Sequence, residues 1–195
     1  MAALHPILRA GLVSGASMTA GDAMCQCIRA RAAGKDVRLN WRQSARFGLV
    51  GLTLHGPFFY TGFRWLDSRF GTAATLQKAL IKTAAGQATL FPLYTTLFFT
   101  YMGLLEGLTP AQCVTKVRQA FPPTFVTGSV FWPTANIFNF MLVPPHLRVP
   151  YVNAAGLFWN AWLSFENSTK GRVKAAEAAA QQHAAAAGGG TAKHS

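Results

Sequence analysis

Acidic residues are scarce in this chain of 195 residues, and charged residues of either sign make up only 12% of it. There are 6 Asp and Glu against 18 Lys and Arg, which gives a formal net charge of +12. A disordered polypeptide combines low hydrophobicity with high charge, so a hydrophobic share of 51% excludes disorder for most of the length. Three cysteines, an odd number, do not provide a disulfide framework. A soluble domain usually carries about twice this share of charge, and the composition therefore indicates a membrane protein.

Motifs for catalysis and for nucleotide binding are also missing. The histidines and cysteines are scattered, no nucleophile–base–acid set is visible, and there is no P-loop or GxGxxG. Cys25 and Cys27 lack the spacing and the partners of a zinc site. The basic residues do not form one dense patch of the kind that binds nucleic acid. The sequence predicts a protein that is not an enzyme and that has no cofactor, no metal site and no nucleic-acid partner.

Long apolar runs dominate the chain instead. The hydrocarbon core of a bilayer is about 30 Å thick, so a spanning helix needs roughly 20 mostly apolar residues. Asp22 interrupts the first run and Arg64 lies near the end of the second, whereas the last three hold no charge when histidine is neutral. The runs cover residues 10–28, 47–66, 83–105, 119–147 and 149–165. They predict an all-α, multi-pass transmembrane bundle with four to five membrane segments.

The connections between these runs are polar and basic, and the C-terminal end changes composition. Connections are predicted over residues 29–46, 67–82 and 109–118, with a tight break at Pro144-Pro145. Residues 1–167 are the predicted membrane bundle, and residues 168–195 a tail rich in Ala and Gly, partly helical and then flexible. Four spans and five spans place the basic residues differently, so the positive-inside rule leaves the orientation open.

Asp22 is the most informative polar residue within a predicted span. At helical spacing it shares a face with Gln26 and with Gly11 and Gly15, whose separation lets two helix backbones approach closely. A carboxylate near the middle of a bilayer costs roughly 2.5–3.5 kcal/mol. Asp22 should therefore face the bundle interior, with Gln26 as its local partner. It is either a pore-lining carboxylate or an acid that is satisfied within a packing face.

Other polar side chains also recur on single helix faces. They fit hydrogen bonding between helices and a wet cavity equally well. His55, beside Gly56-Pro57, is either a titrating pore group or a packing residue. Pro133 either kinks a longer helix that starts near Pro123 or belongs to a half-helix. The candidates for pore-lining or bundle-interior positions are Asp22, Gln26, His55, Trp132, Asn136, Asn139, Asn153 and Asn160.

Three arginines stand where the predicted segments meet the membrane surfaces. Arg42 and Arg46 precede the second segment, and Arg148 follows the Pro144-Pro145 break. Cationic rims raise the local concentration of anions and favour anionic or phosphate-bearing solutes. The same side chains could instead bind anionic lipid head groups. We therefore consider the three residues candidates for a pore mouth or for lipid binding.

The C-terminal half resembles a known family. Its pattern is similar to the signature of the Mpv17 family, which includes the twenty-two-kilodalton peroxisomal membrane protein. The residues that carry the resemblance are Trp132-Pro133, Asn136, Asn139-Phe140, Val143-Pro144, Arg148-Val149, Tyr151, Asn153, Trp159-Asn160 and Leu163-Ser164. Earlier marks of the family recur in order, so that the resemblance covers residues 6–165. They are Gly21-Asp22, Gln26, Trp41-Arg42, Arg46, Gly48, Gly56-Pro57, Lys82, Gln87, Pro92, Phe98-Phe99, Gly103 and Leu105-Glu106-Gly107.

This resemblance implies a multi-pass protein of the mitochondrial inner membrane or, as the alternative, of the peroxisomal membrane. The implied activity is a weakly selective channel for small solutes that supports organelle homeostasis. The expected partners are the lipid bilayer and small anionic or neutral solutes, and assembly as a homo-oligomer stays open. A non-conducting membrane scaffold or assembly partner is the alternative function.

Overall fold

The structure, a computed structural model, describes residues 5–72 and 74–159, and the regular elements in these ranges are all helical. The all-α prediction is confirmed. The predicted tail, residues 168–195, lies outside the described residues. In chain order the elements are α1 (Pro6–Ala32), α2 (Trp41–Val50), a π-helical turn (Gly51–His55), α3 (Gly56–Phe70), α4 (Leu76–Ala88), α5 (Leu90–Leu105), α6 (Pro110–Leu142), a 3-10 turn (Pro145–Leu147) and α7 (residues 148–159).

The helix ends coincide with short polar side chains and with glycine. The Asn40 side chain accepts a hydrogen bond of 3.1 Å from the Gln43 backbone N–H and so caps α2. Thr109 and Gln112 form a capping box at the start of α6. Gly71 and Gly107 follow α3 and α5 with φ angles of 86° and 87°, which side-chain-bearing residues rarely adopt. These local signals mark the starts of α2 and α6 and the ends of α3 and α5.

The predicted connections are too long, because helices occupy most of them. Charged residues do not end a helix, since Lys and Arg are good helix formers. α1 continues to Ala32, α3 continues to Phe70, and α6 begins at Pro110. Several basic residues that were expected in loops therefore stand on helices.

α6 is one continuous helix of 33 residues, although it contains Pro122, Pro123 and Pro133. Of the two alternatives for Pro133, the longer helix is observed, but it starts at Pro110 and not near Pro123. Hydroxyl groups also bond to carbonyls along it, as where Thr127 donates to the Pro123 carbonyl at 2.6 Å. At 1.5 Å per residue the helix is about 50 Å long. It ends at Leu142, just before the predicted break at Pro144-Pro145.

α4 and α5 are separated only by a break at Thr89, whose hydroxyl donates to the Ala85 carbonyl at 2.6 Å. Together they form Leu76–Leu105, which by length and apolarity could cross a membrane. Within residues 5–72 and 74–159 this is the one stretch that meets both criteria. The other helices mix apolar residues with small, polar and basic ones.

Close backbone contacts join α1 to the helical rod formed by α2, the π-helical turn and α3. A Cβ atom added at Gly51 would lie 2.6 Å from the Ser14 carbonyl oxygen, and one added at Gly11 would lie 2.5 Å from the Leu52 carbonyl oxygen. Any side chain at these two positions would push the helices apart. The small-residue face that the sequence predicts on α1 is thus a helix–helix contact.

α6 packs against α4 and α5 and forms a second group of helices. α7 contacts both groups. Its Asn153 side chain donates to the Ser14 hydroxyl of α1 at 3.0 Å, and the Trp159 ring lies 5.0 Å from the Phe131 ring of α6. The buried apolar core lies where these helices meet and includes Ala10, Phe63, Leu66, Ala79, Phe140, Val149 and Val152.

Candidate functional site

A cavity of about 290 Å³ lies within the bundle, and α1 through α7 all contribute to its wall. Much of the wall is aromatic, with rings from Phe59, Phe91 and Trp132 among others. Pockets for small molecules usually measure about 300–1,000 Å³ and combine apolar walls with a few placed polar groups. At about 290 Å³ the cavity is close to the lower limit of this range, which suits a small metabolite. Its polar lining residues are Ser17, His55, Lys82, Gln87, Tyr94, Thr95, Thr124, Asn136 and Asn153.

His55 connects the cavity to the contact between α1 and α7. It closes the π-helical turn, in which the Gly56 backbone N–H bonds to the Gly51 carbonyl, and such turns are frequent at functional positions. Its Nδ1 atom lies 3.4 Å from the Ser14 hydroxyl, which also accepts the bond from Asn153. The His55 side chain is therefore both a hydrogen-bonded packing group and part of the cavity wall.

A buried ion cluster forms one part of the cavity wall. Asp67, near the end of α3, binds the Lys82 ammonium with one carboxylate oxygen and the Arg148 guanidinium with the other, both within 3.0 Å. Lys82 is fully buried and Arg148 is 2% exposed. The Phe140 ring faces both cations, at 4.8 Å from the Lys82 Nζ and 5.1 Å from the Arg148 Cζ. Of these four residues, Lys82 and Phe140 line the cavity.

Asp22 occupies a different place, at the junction of α1 with the start of α2. Its carboxylate accepts hydrogen bonds from Gln26 and Gln43, each at 2.6 Å, and from the Ser44 hydroxyl at 2.7 Å. The predicted pairing with Gln26 is confirmed. Gln26 in turn accepts a bond of 2.6 Å from the Asn40 backbone N–H. The network ties the two helices together, and its members are not among the residues that line the cavity.

The remaining interior candidates differ in position. Trp132, Asn136 and Asn153 line the cavity. Asn139 is fully buried and does not line it, and among the described residues neither polar atom of its side chain has a hydrogen-bond partner. Asn160 lies outside the described residues. The structure therefore brings together His55 and three of the candidates from α6 and α7.

The three candidate arginines do not form one group. Arg42 is exposed and Arg46 is half-buried, both on α2. Arg148 differs from the expectation of an open pore mouth, because the Asp67 carboxylate holds it inside the bundle. Two cationic side chains on α2 thus remain available to solutes or to lipid head groups.

Sequence reasoning missed Asp67, Lys82, Gln87 and Tyr94 as site residues, although Lys82 and Gln87 are among the marks of the family. Asp67 and Lys82 lie at the borders of apolar runs, and the sequence assigns them to a polar connection. A charge that adjoins a charge-free run is the signal that could have identified Lys82. Gln87 is a polar residue within such a run, and its side chain donates to the Ser129 hydroxyl at 2.7 Å.

The relatives found by comparison with known proteins agree with the family that the sequence resembles. The family described as Mpv17 / PMP22 matches residues 103–164. PXMP2/4 family protein 4 of Dictyostelium discoideum is 30% identical over 85% of this chain and 88% of its own length. Protein sym1 of Aspergillus oryzae is 30% identical over 85% of this chain and 93% of its own length.

The name of a mammalian relative states its location, the mitochondrial inner membrane. The mitochondrial inner membrane protein Mpv17 of Bos taurus is 29% identical over 83% of this chain and 90% of its own length. This name agrees with the location that the sequence predicts. No solved structure gives a significant match.

Proposed function

Since this chain belongs to the Mpv17 / PMP22 family, we propose that it forms a weakly selective channel for small solutes in the mitochondrial inner membrane. In this proposal the protein crosses the membrane several times, carries out no enzymatic reaction and supports organelle homeostasis by letting metabolites pass. Its partners are the bilayer and small anionic or neutral solutes.

Apolar side chains on the outside of the bundle support a multi-pass arrangement. Val130 of α6 is 77% exposed and Phe158 of α7 is 75% exposed. Soluble proteins rarely expose large contiguous apolar patches, whereas lipid tails cover them without cost. α6, at about 50 Å, exceeds the thickness of a bilayer core of about 30 Å. Further exposed apolar side chains on α6 are Val126, Phe138 and Leu142.

The internal cavity is the observation that carries the channel proposal. A bundle that served only as a scaffold would gain from a filled core, because empty interior volume forfeits packing interactions. Here about 290 Å³ stays open at the meeting point of the helices, and His55, Lys82, Gln87 and Asn136 face it. An open volume with polar groups on its wall suits a solute in transit.

The non-conducting scaffold is supported by a different observation. Asp22 is saturated by three neutral donors at the junction of α1 and α2, and it lies apart from the cavity wall. An acid bound in this way contributes to helix packing without any contact to a solute. The experiment must therefore distinguish a conducting bundle from a closed one.

Conductance of the purified protein in planar bilayers tests the proposal. Gly86 lines the cavity, and a Cβ atom added there would lie 3.6 Å from its nearest neighbour, Leu66 Cδ1, so Gly86→Leu fills the cavity without a backbone clash. Ala84→Leu, at an exposed position of the same helix, is the matched control. We expect wild type and Ala84→Leu to conduct and Gly86→Leu to conduct less. A silent wild-type protein would leave the scaffold as the better account.

A further inference from the structure

The ion cluster on the cavity wall holds more positive than negative charge. Lys82 and Arg148 share the single carboxylate of Asp67, so the three side chains carry a net charge of +1. Within residues 5–72 and 74–159, no second acid lies within 4.0 Å of either cation, and Glu106 pairs instead with Lys116. A buried charge is costly unless a partner compensates it. Among the residues that the structure describes, the cluster is thus short of one anion.

Lys82 is the cation of the cluster that reaches the cavity. An ammonium group has three N–H donors. Two of them are used, on the Asp67 carboxylate at 3.0 Å and on the Gly71 carbonyl at 3.3 Å. The third has no acceptor among the described residues and faces the Phe140 ring, 4.8 Å from Nζ, so an anion in the cavity binds it by displacing that ring. Because the side chain is fully buried, bulk water does not weaken an ion pair formed there.

The rest of the cavity wall suits the uncharged, organic part of a bound molecule and offers no site for a second charged group. Phe91, Tyr94 and Trp132 contribute rings, and among the described residues no carboxylate lines the cavity that would repel an anion. Gln87 and Asn136 add amide groups that can hydrogen-bond to polar substituents. One cation beside aromatic walls favours a molecule with one anionic group and a compact body.

We propose that the cavity binds small organic anions, with a carboxylate or phosphate group on the Lys82 ammonium and the organic part between the aromatic side chains. This site rests on the proposed channel and names the class of solute that enters it. The charge excess of the Asp67, Lys82 and Arg148 cluster is what selects an anion. The same chemistry fits the phosphate of a lipid head group, so a test must separate the two sources.

Binding of phenyl phosphate to the full-length protein in nanodiscs of phosphatidylcholine tests the site. Isothermal titration calorimetry measures its affinity beside that of benzyl alcohol, which keeps the ring and lacks the charge. We expect phenyl phosphate to bind at least tenfold more tightly. Lys82→Met should lose this preference, and Lys116→Met, which removes a lysine of the exposed pair with Glu106, should keep it. Equal affinities for the two compounds in wild type would overturn the proposal.

Further variants keep the test decisive if Lys82→Met does not fold. Lys82→Arg retains the cation and should retain phosphate binding, while Gly86→Leu leaves the ion cluster intact and should abolish it. Binding that survives in Gly86→Leu would place the anion elsewhere and overturn the site. In nanodiscs that contain phosphatidylglycerol, displacement of phenyl phosphate would identify a lipid head group as the occupant of the same site, whereas undiminished binding identifies a soluble anion.

Failure of this inference is distinct from failure of the channel. Flux of a neutral solute such as glycerol into proteoliposomes reports the channel alone. Glycerol flux without any preference for phenyl phosphate would retain the channel and remove the anion site. Phosphate binding without flux would retain the site on a bundle that does not conduct.

Discussion

The carboxylate of Asp67 binds the guanidinium of Arg148, a residue 81 positions further along the chain. This ion pair fastens the start of α7 to the end of α3, and the second carboxylate oxygen fastens α4 through Lys82. One acid thus fixes the positions of three helices around the cavity.

Asp67→Asn should destabilise the protein strongly. The substitution leaves the buried Lys82 and Arg148 without their counter-ion, and breaking a buried ion pair in this way costs about 3–5 kcal/mol. Thermal unfolding in detergent measures the loss. Glu106→Gln is the control. Glu106 pairs with Lys116, the two side chains are 34% and 27% exposed, and such exposed pairs contribute about 1 kcal/mol or less to stability. Equal losses in both variants would contradict a special role for the buried cluster.

Asp22→Asn should lower stability by about 1–3 kcal/mol, because an amide cannot accept from Gln26, Gln43 and Ser44 as a carboxylate does. The exposed Asp36, replaced in the same way, should have no such effect. Bilayer conductance of the two variants tests the role that the sequence proposes for Asp22. An altered conductance in Asp22→Asn alone would support a pore-lining carboxylate, and unchanged conductance would assign the residue to packing.

Gly51→Ala should separate α1 from the helical rod. The new methyl group would lie 2.6 Å from the Ser14 carbonyl oxygen and 2.7 Å from Gly15 Cα, both of which are backbone atoms that cannot rotate away. Such overpacking costs about 1–3 kcal/mol. Gly86→Ala, which has ordinary contact distances, should be neutral or stabilising, since Ala is favoured over Gly within helices. The melting temperatures of the two variants measure this difference, and we expect a lower value for Gly51→Ala than for Gly86→Ala.

Arg46→Gln should reduce anion preference if the cations of α2 line a pore mouth. Reversal potentials in a salt gradient, measured in neutral phosphatidylcholine, report selectivity directly. We expect wild type to prefer anions weakly and Arg46→Gln to move the reversal potential toward zero. A wild type that prefers cations, or a variant with an unshifted potential, would favour lipid anchoring by this side chain.

Alkaline carbonate extraction tests membrane integration. Carbonate releases peripheral proteins, whereas a protein held by spanning helices stays with the membrane pellet. We expect this chain to stay in the pellet. Recovery in the supernatant would contradict the multi-pass arrangement. Lipid contact would then no longer explain the exposed apolar side chains of α6.

The sequence predicts the helices well and their ends poorly. Apolar runs identify the interior segments, and the break before α7 follows from Pro144-Pro145. The runs stop at charged residues, however, whereas the helices stop at glycine, proline and capping side chains. For this reason α3 carries Asp67 and α4 carries Lys82 within their helical spans.

Local pairs were predictable and distant ones were not. The bond between Asp22 and Gln26 spans one helical turn, and spacing alone suggests it. Gln43 and Ser44 approach the same carboxylate from the next helix, which requires the fold to be known. The cavity wall likewise depends on how α3, α5 and α7 meet, and no periodicity within one segment reveals that arrangement.

The π-helical turn also bears on how the chain can change in length. A π-helical turn holds one residue more than an α-helical turn, so losing one residue from Gly51–His55 would restore a uniform α-helix and leave the faces of α3 in register with α2. A loss elsewhere in α3 would instead rotate every later position by about 100°. The turn is therefore a place where a single-codon deletion could be inherited with the register of the later helix preserved, provided that Gly51 and His55, which contact Ser14, are kept.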